Sequence, residues 1–370
     1  MIFDKTFIEL FAGVGLVGKA LSQRGWKCVM ANDICPIKKK MYVLNGGDPS
    51  VFILDDIRNL TAEAYPPSSL LTASFPCVDF STAGKRKGFG GTLSRCVLSV
   101  IDMLGALPDE QKPTVLLFEN VMGSIFQGKT GNASDLIRGL ARIGYSVIDL
   151  RVIDASHFTA QSRKRVFMIA TTQSNAVKCD TLVQLLGNES PEETKPLVAQ
   201  AFMKNLPCVA WVSAPSPGLP DRKRHLLKDF VDLSLPWTNC PRSPTLRTTF
   251  DVTQVAYAQA NTDRFRVFSF IVQTRKGRPT SELNREGKAY CLRTGRGRLM
   301  SNLMKLDING EIQVRYLEPA EYAALQGAPD FQFGDLPKQH CFKAMGDAVC
   351  VPVILWIIDN VLLHFYKSDT

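Results

Sequence analysis

Short apolar runs rich in β-branched and aromatic residues, alternating with helical patterns, constrain this chain more than any other feature. The runs are Thr6–Phe11, Cys28–Ala31, Val51–Leu54, Leu70–Ser74, Val115–Phe118, Tyr145–Leu150 and Val166–Ile169. Helical spacing of apolar residues marks Leu16–Arg24, Val97–Leu107 and Ala133–Ile143 between them. The alternation predicts an α/β fold built on a doubly wound, mostly parallel sheet. After about Thr172 the rhythm dissolves, with prolines at 191, 196, 207, 215, 217, 220, 236, 241 and 244, and a second, smaller, irregular domain is expected there. At 370 residues, 45% of them hydrophobic and 21% charged, the chain has material for one large core and a satellite.

In a parallel sheet of this kind ligands bind at the carboxyl ends of the strands. Cys77, in Phe75-Pro76-Cys77, follows the run Leu70–Ser74, and Glu119, in Glu119-Asn120-Val121, follows Val115–Phe118. Two strand ends separated by one helical crossover thus offer a thiol and an acid, the minimum for covalent catalysis. Gly13-x-Gly15-x-x-Gly18 follows the first strand and opens the first helix, as a nucleotide-binding turn requires. Alone, that turn would serve NAD, FAD or S-adenosylmethionine equally well. Asp33 ends the second strand, 18 residues beyond Gly15, where a carboxylate can accept from ribose hydroxyls; Asp56, ending the third, could take an adenine amine. Either acid could equally be a plain strand-end residue.

The formal charge of +9 favours a polyanionic partner. It is concentrated: residues 264–298 hold ten basic residues (Arg264, Arg266, Arg275, Lys276, Arg278, Arg285, Lys288, Arg293, Arg296 and Arg298) against Glu282 and Glu286, a local net of +8. Glycines interleaved with these arginines suit loops that approach phosphates and base edges, although a solvated charged face would look similar. The ten cysteines include no pair at zinc-knuckle spacing, Cys28 with Cys35 and Cys341 with Cys350 being the closest, and the four histidines form no ligand pair, so no metal is expected. The amino terminus runs straight into a strand pattern without a signal-like segment, and Val349–Phe365 is interrupted by Pro352, Asp359 and Asn360, which suits a buried helix. A reduced, cytoplasmic protein with no membrane association is expected.

Taken together and in order, the motifs resemble those of the DNA (cytosine-5) methyltransferases of bacterial and phage restriction-modification type. Phe11-Ala12-Gly13-Val14-Gly15 is similar to that family's cofactor loop, Phe75-Pro76-Cys77 to its nucleophile motif, Glu119-Asn120-Val121 to its acid motif and Gln161-Ser162-Arg163-Lys164-Arg165 to its glutamine-arginine-arginine motif. Arg315 to Glu321, Leu325 to Pro329 and Gly346-Asp347-Ala348-Val349 match further motifs near the other end. The match covers the first 170 residues and the last 60, and leaves the middle, where the family places its variable recognition domain, unmatched.

The resemblance implies a Rossmann-like methyltransferase fold, with residues 1–175 plus 337–370 catalytic and residues 176–336 a target-recognition domain. It implies S-adenosyl-L-methionine as cofactor, held by Phe11, Ala12, Gly13, Gly15, Asp33, Asp56, Ile57, Pro76, Asp347 and Val349. In the implied chemistry the Cys77 thiolate adds to C6 of a flipped-out cytosine in double-stranded DNA, Glu119 holds N3 and the exocyclic amine, and Arg163 and Arg165 hold the base and its phosphates. Ser81, Lys85, Arg86 and Lys87 fall in a basic, glycine-rich segment that looks like the family's loop closing over DNA; with Gln161, Arg275, Lys276, Arg278, Arg293, Arg296 and Arg298 they are the expected nucleic-acid contacts. The expected protein acts as a monomer, and the resemblance allows a cognate restriction endonuclease acting separately. A tRNA cytosine-5 methyltransferase and a non-catalytic DNA-binding relative are the rival readings. Val78, Glu318, Ala324 and Asp347 depart from the family's usual glutamine, threonine, arginine and asparagine.

Overall fold

The computed structural model describes residues 4–75, 95–123, 132–179, 181–184, 206–239, 250, 252–275, 278–293 and 302–366. They pack as two compact units: residues 1–153, 164–219 and 353–370 form the first, and 154–163 with 220–352 the second. These bounds differ from the motif-based division at 175/176 and 336/337.

The first unit is built on strands β1 (Thr6–Leu10), β2 (Lys27–Asp33), β3 (Phe52–Leu54), β4 (Leu70–Ala73), β5 (Val115–Val121), β6 (Val147–Asp154), β7 (Lys164–Thr171), β8 (Val183–Gln184) and β9 (Ala210–Ser213). They form one nine-stranded sheet in the order β3-β2-β1-β4-β5-β7-β6-β9-β8. The pairs from β3 to β5 are parallel. β7 runs antiparallel to β5, because residues 155–163 are too few for the crossover that a parallel return needs. Residues 206–219 stay with this unit through the parallel pairing of β9 on β6. Helices α1 (Leu16–Ser22), α2 (Pro36–Leu44), α3 (Arg95–Ala106) and α4 (Asn132–Arg142) connect the strands. The apolar stripes of α3 (Val97, Val100, Ile101, Leu104) and α4 (Leu136, Ile137, Leu140) share a core with Ile8, Leu10, Leu71, Leu116 and Met168.

Strand order reverses between β1 and β4, since the chain winds outward through β2 and β3 before returning. That switch point opens a crevice at the carboxyl ends of β1 and β4, where side chains from both halves can meet a ligand.

The Pro-rich region contains a regular core of its own. Strands β10 (Thr238–Asn239), β11 (Phe268–Arg275), β12 (Arg278–Leu283), β13 (Asn302–Leu306) and β14 (Ile312–Tyr316) form an antiparallel sheet in the order β10-β14-β13-β11-β12. Helix α5 (Val252–Phe265) covers it, with Ala258 and Phe265 packed among Phe268, Phe270, Met304 and Val314. Helices α6 (Pro319–Leu325) and α7 (Lys338–Asp347) complete the second unit, joined by Tyr322 against Phe342 at 4.9 Å between ring centres. Glu318, where threonine is usual in the resembled family, caps α6 and reaches Lys338 on α7 at 2.6 Å. Helix α8 (Val351–Asn360) and a short helical turn, Leu362–Phe365, end the described fold. The stretch Lys338–Asn360 is long and apolar enough to cross a membrane by length and composition, but 67% of its most apolar window is buried within the protein.

Candidate active site

β1 ends in a turn that only a glycine-rich sequence can make. Gly13 and Gly15 take φ of +58° and +78°, and Phe11 is held at +53°, a conformation uncommon for any residue with a side chain. The turn closes through Gly15 N–H donating to Ala12 O at 2.8 Å, and Ala12 N–H donates to Asn32 O at 2.8 Å. A Cβ on Gly15 would lie 2.6 Å from Tyr42 Cδ2, so the close approach of α2 requires glycine as much as the dihedral does.

Beneath the turn lies Glu9, 2% exposed. Its Oε2 accepts from Gly18 N at 3.1 Å, and a Cβ on Gly18 would sit 2.6 Å from that oxygen. Burial pushes the Glu9 carboxyl up to about 8, with nearby Asp33 adding to the rise and N–H groups of Gly18 and Val17 opposing it. A proton is therefore held beneath the glycine turn at neutral pH.

Asp33 closes the turn from β2. Its Oδ2 accepts from Gly13 N at 2.9 Å and its Oδ1 from Cys35 N at 2.8 Å. Each oxygen retains a lone pair for a ligand donor. Asp56 caps a short helical turn that contains the buried Ile57, and its oxygens already accept from Arg58 N, Nε and Nη2 at 3.0, 2.9 and 2.5 Å. The Arg58 guanidinium holds this carboxyl below its usual range. Ile34, directly after Asp33, is 65% exposed, and Leu54, the register partner of Asp33, is 42% exposed. An isoleucine in a turn beside a strand-end acid was the signal for this apolar rim.

Glu119 and Arg165 come together across two strands. Val121 pairs with Arg165 and Glu119 with Phe167, so the acid and the arginine lie diagonally on one face of β5 and β7. Arg165 Nε sits 3.0 Å from Glu119 Oε1, and both side chains are largely buried. Asn120, the next residue, donates from Nδ2 to Phe75 O at 3.2 Å, while Phe75 packs edge-on against Phe118 at 6.1 Å. The end of β5 thereby anchors the chain leaving β4 two residues before Cys77. Pro76, Cys77, Val78, Ser81, Lys85, Arg86, Lys87, Lys276, Arg296 and Arg298 lie outside the described residues.

The rest of the glutamine-arginine-arginine motif lies in the second unit. Gln161 is fully buried: its Nε2 donates to Leu325 O and Gln326 Oε1, both at 3.2 Å, and its Oε1 accepts from Leu292 N at 3.2 Å. Arg163, 3% exposed, donates from Nη2 to Gly346 O at 3.1 Å and Ala348 O at 2.7 Å, and from Nη1 to Leu292 O at 3.4 Å. Gln326 Nε2 supports the same turn through Met345 O at 2.8 Å and Ala348 O at 3.1 Å. This turn presents Asp347 to solvent and buries Val349. In the basic segment Arg275 and Arg278 pair through their backbones across β11 and β12, and Arg293 is exposed. Lys288 is 2% exposed, and Arg264 and Arg285 lie over the rings of Phe265 and Tyr257 at 4.9 and 5.1 Å. Among the described residues no cluster of histidine, cysteine or acidic side chains is arranged to hold a metal.

A glycine turn closed by a strand-end acid at the switch point, and an acid paired to an arginine at the end of β5, stand on a doubly wound sheet. The chain belongs to the C-5 cytosine-specific DNA methylase family, whose profile matches residues 5–362. It is similar to the type II methyltransferase M.MspI of a Moraxella species, with 35% identity over 177 residues, covering 46% of this chain and 40% of that protein. It is also similar to the type II methyltransferase M.HhaI of Haemophilus parahaemolyticus, with 25% identity over 358 residues, covering 96% of this chain and 93% of that one. The matches to M.MspI and to M.DsaV of Dactylococcopsis salina span less than half of those relatives, 40% and 46%. Its fold is similar to that of the S. pombe Dnmt2 methyltransferase, at a TM-score of 0.61 and 18% identity over 97% of this chain and 98% of that one. The Entamoeba histolytica methyltransferase EhMeth is alike at 0.62 and 14%, over 97% of each chain.

Proposed function

We propose that this chain transfers a methyl group from S-adenosylmethionine to C5 of a flipped-out cytosine in a short double-stranded DNA sequence, through a covalent adduct between Cys77 and C6. The observation that carries the reading is the Glu119–Arg165 pair at 3.0 Å, with Asn120 holding the Phe75 carbonyl just ahead of Cys77.

The turn after β1 fits the cofactor. Gly13 and Gly15 take the left-handed conformations that form the turn, Asp33 keeps acceptor lone pairs for ribose hydroxyls, and Ile34 and Leu54 supply apolar surface for a base. Phe11, Ala12 and Gly13 line the approach, and Asp56 and Ile57 are the adenine-side residues. Asp347 and Val349 are cofactor residues by their place in the family motif. When bound, S-adenosylmethionine supplies an electrophilic sulfonium methyl.

Cytosine C5 is a poor nucleophile until a thiolate adds at C6. The Cys77 sulfur forms the bond to C6, and electron density moves through the ring toward N3, where a proton shared with Glu119 neutralises it. The adjacent Arg165 cation fixes the carboxyl's orientation and favours negative charge developing on the ring oxygen. After C5 has been alkylated, removal of the C5 proton re-forms the C5–C6 double bond and expels the thiolate. Arg163 acts in this reading as a positioning residue for the 346–348 turn, because its buried guanidinium donates to the carbonyls of Gly346 and Ala348. The second unit reads the DNA sequence, with the exposed Arg293 and the arginines of β11 and β12 among its contacts. The protein acts as a cytoplasmic monomer.

Cys77→Ala should abolish tritiated methyl transfer into duplex DNA while leaving S-adenosylmethionine binding intact; normal turnover would overturn the mechanism. Offering duplex DNA and tRNA side by side tests the acceptor, and a preference for tRNA would replace DNA in the reading. A wild-type protein that forms no adduct with 5-fluorocytosine duplex in the presence of cofactor would be a non-catalytic binder.

A further inference from the structure

Lys288 was counted by sequence among the bases facing a polyanion, yet it is 2% exposed. Its ammonium donates to Ser156 O at 3.1 Å, Thr159 O at 3.3 Å and His225 O at 2.5 Å. Three N–H bonds thus meet three carbonyls, and no donor is left for an outside ligand. The backbone beside it is committed to the same segment: Ala289 N–H donates to Ala160 O at 2.7 Å, and Ser162 N–H to Ala289 O at 2.9 Å. Leu292 N–H then meets the Gln161 side chain.

A cation is a costly way to join three carbonyls in an interior. Burial, with the neighbouring Arg222 charge, lowers the Lys288 ammonium to about 8, against weaker opposite pulls from Asp154, Glu286 and Asp221. An apolar side chain would avoid that desolvation but leave three carbonyls without donors. Few single groups other than an ammonium can donate to all three at once, and the segment it gathers, residues 154–163, carries Gln161 and Arg163 and runs without a break into Arg165 on β7.

We propose that Lys288 is a positioning residue for methyl transfer: by clasping the carbonyls of Ser156, Thr159 and His225 it sets the conformation of residues 154–163, and so the place of Arg163. The role rests on the methyltransferase reading above. It acts through Arg163 on the 346–348 turn, and not through the glycine turn that follows β1.

The test compares the full-length wild type with Lys288→Met and Lys288→Gln, measuring folding by circular dichroism, S-adenosylmethionine affinity by calorimetry, and kcat and KM for methylation of unmethylated genomic DNA. The methionine variant should keep the fold and DNA KM within about three-fold, and lose about ten-fold or more in kcat at saturating cofactor, with glutamine in between. A kcat within about two-fold of wild type would overturn the role, as would a parallel decline of kcat, DNA affinity and thermal stability, which marks a general packing defect. Should Lys288→Met not fold, Lys288→Gln is judged by the same readouts, and failure of both to fold overturns the role in favour of a purely structural one. A wild type inert on both DNA and tRNA would overturn the methyltransferase reading and this role with it; an active wild type beside an equally active methionine variant overturns this role alone.

Discussion

Replacing Glu9 by glutamine should make the stability of the fold less sensitive to pH, and the size of the effect follows from its place in β1. The carboxyl is 2% exposed and is raised from 4.5 to about 8, chiefly by burial. Between those values the folded protein holds a proton that the unfolded chain has released. The group's favourable contribution is therefore fully present below pH 4.5 and is lost as pH rises through about 8. At about 1.4 kcal/mol per pH unit, the wild type gives up about 3 kcal/mol by pH 7 and at most about 5 kcal/mol by pH 9. Glutamine has nearly the same shape and keeps an acceptor for Gly18 N–H, but it does not titrate. Urea unfolding followed by circular dichroism at pH 5, 7 and 9 gives both curves, and their difference removes every group that titrates alike in the two proteins. That difference should move in favour of the variant by about 3–5 kcal/mol from pH 5 to pH 9. A difference constant within about 1 kcal/mol would refute the argument that Glu9 is held protonated beneath the turn.

Two further substitutions probe the turn itself. Gly15→Ala forces a Cβ to 2.6 Å from Tyr42 Cδ2 at a φ of +78°; it should cost about 1–3 kcal/mol in unfolding free energy and weaken S-adenosylmethionine binding measured by calorimetry, so unchanged affinity would contradict the close-approach role. Asp33→Asn turns one acceptor into a donor facing either Gly13 N–H or Cys35 N–H. Cofactor affinity should decline about ten-fold or more while circular dichroism stays native, and an affinity within about two-fold of wild type would remove Asp33 from the site.

Much of the first unit was legible because its signals are local. Runs such as Leu70–Ser74 and Val115–Phe118 are too short and too rich in strand formers to be helices, and the glycines after β1 announce a turn that a side chain would block. The expected Asp33 meets the expected glycine turn at 2.9 Å. The Glu119–Arg165 contact was legible only as a shared motif set, since nothing local says that β7 runs antiparallel to β5 and brings the two residues onto one face. The five-stranded sheet was hidden because strands such as Arg278-Pro279-Thr280-Ser281-Glu282-Leu283 carry charge and proline, and because β11 finds β13 only across a long sequence separation.

The basic residues show most clearly where composition stops. Arg163 and Arg165 stand two positions apart in one motif, yet Arg165 faces Glu119 while Arg163 is buried against the carbonyls of Gly346 and Ala348. Lys288 and Arg293 stand five apart in one basic segment, the first enclosed and the second exposed. A charge count treats such neighbours alike because the formal charge of a side chain is indifferent to its surroundings, whereas its use depends on which acceptors the fold collects around it. A guanidinium or ammonium saturated by carbonyls has no donor left for a phosphate, and one stacked on a ring must leave that ring to reach one. The local net of +8 is thus a ceiling on the electrostatic footprint offered to DNA, and the salt dependence of DNA binding should reflect fewer phosphate contacts than the ten basic residues of segment 264–298 would suggest.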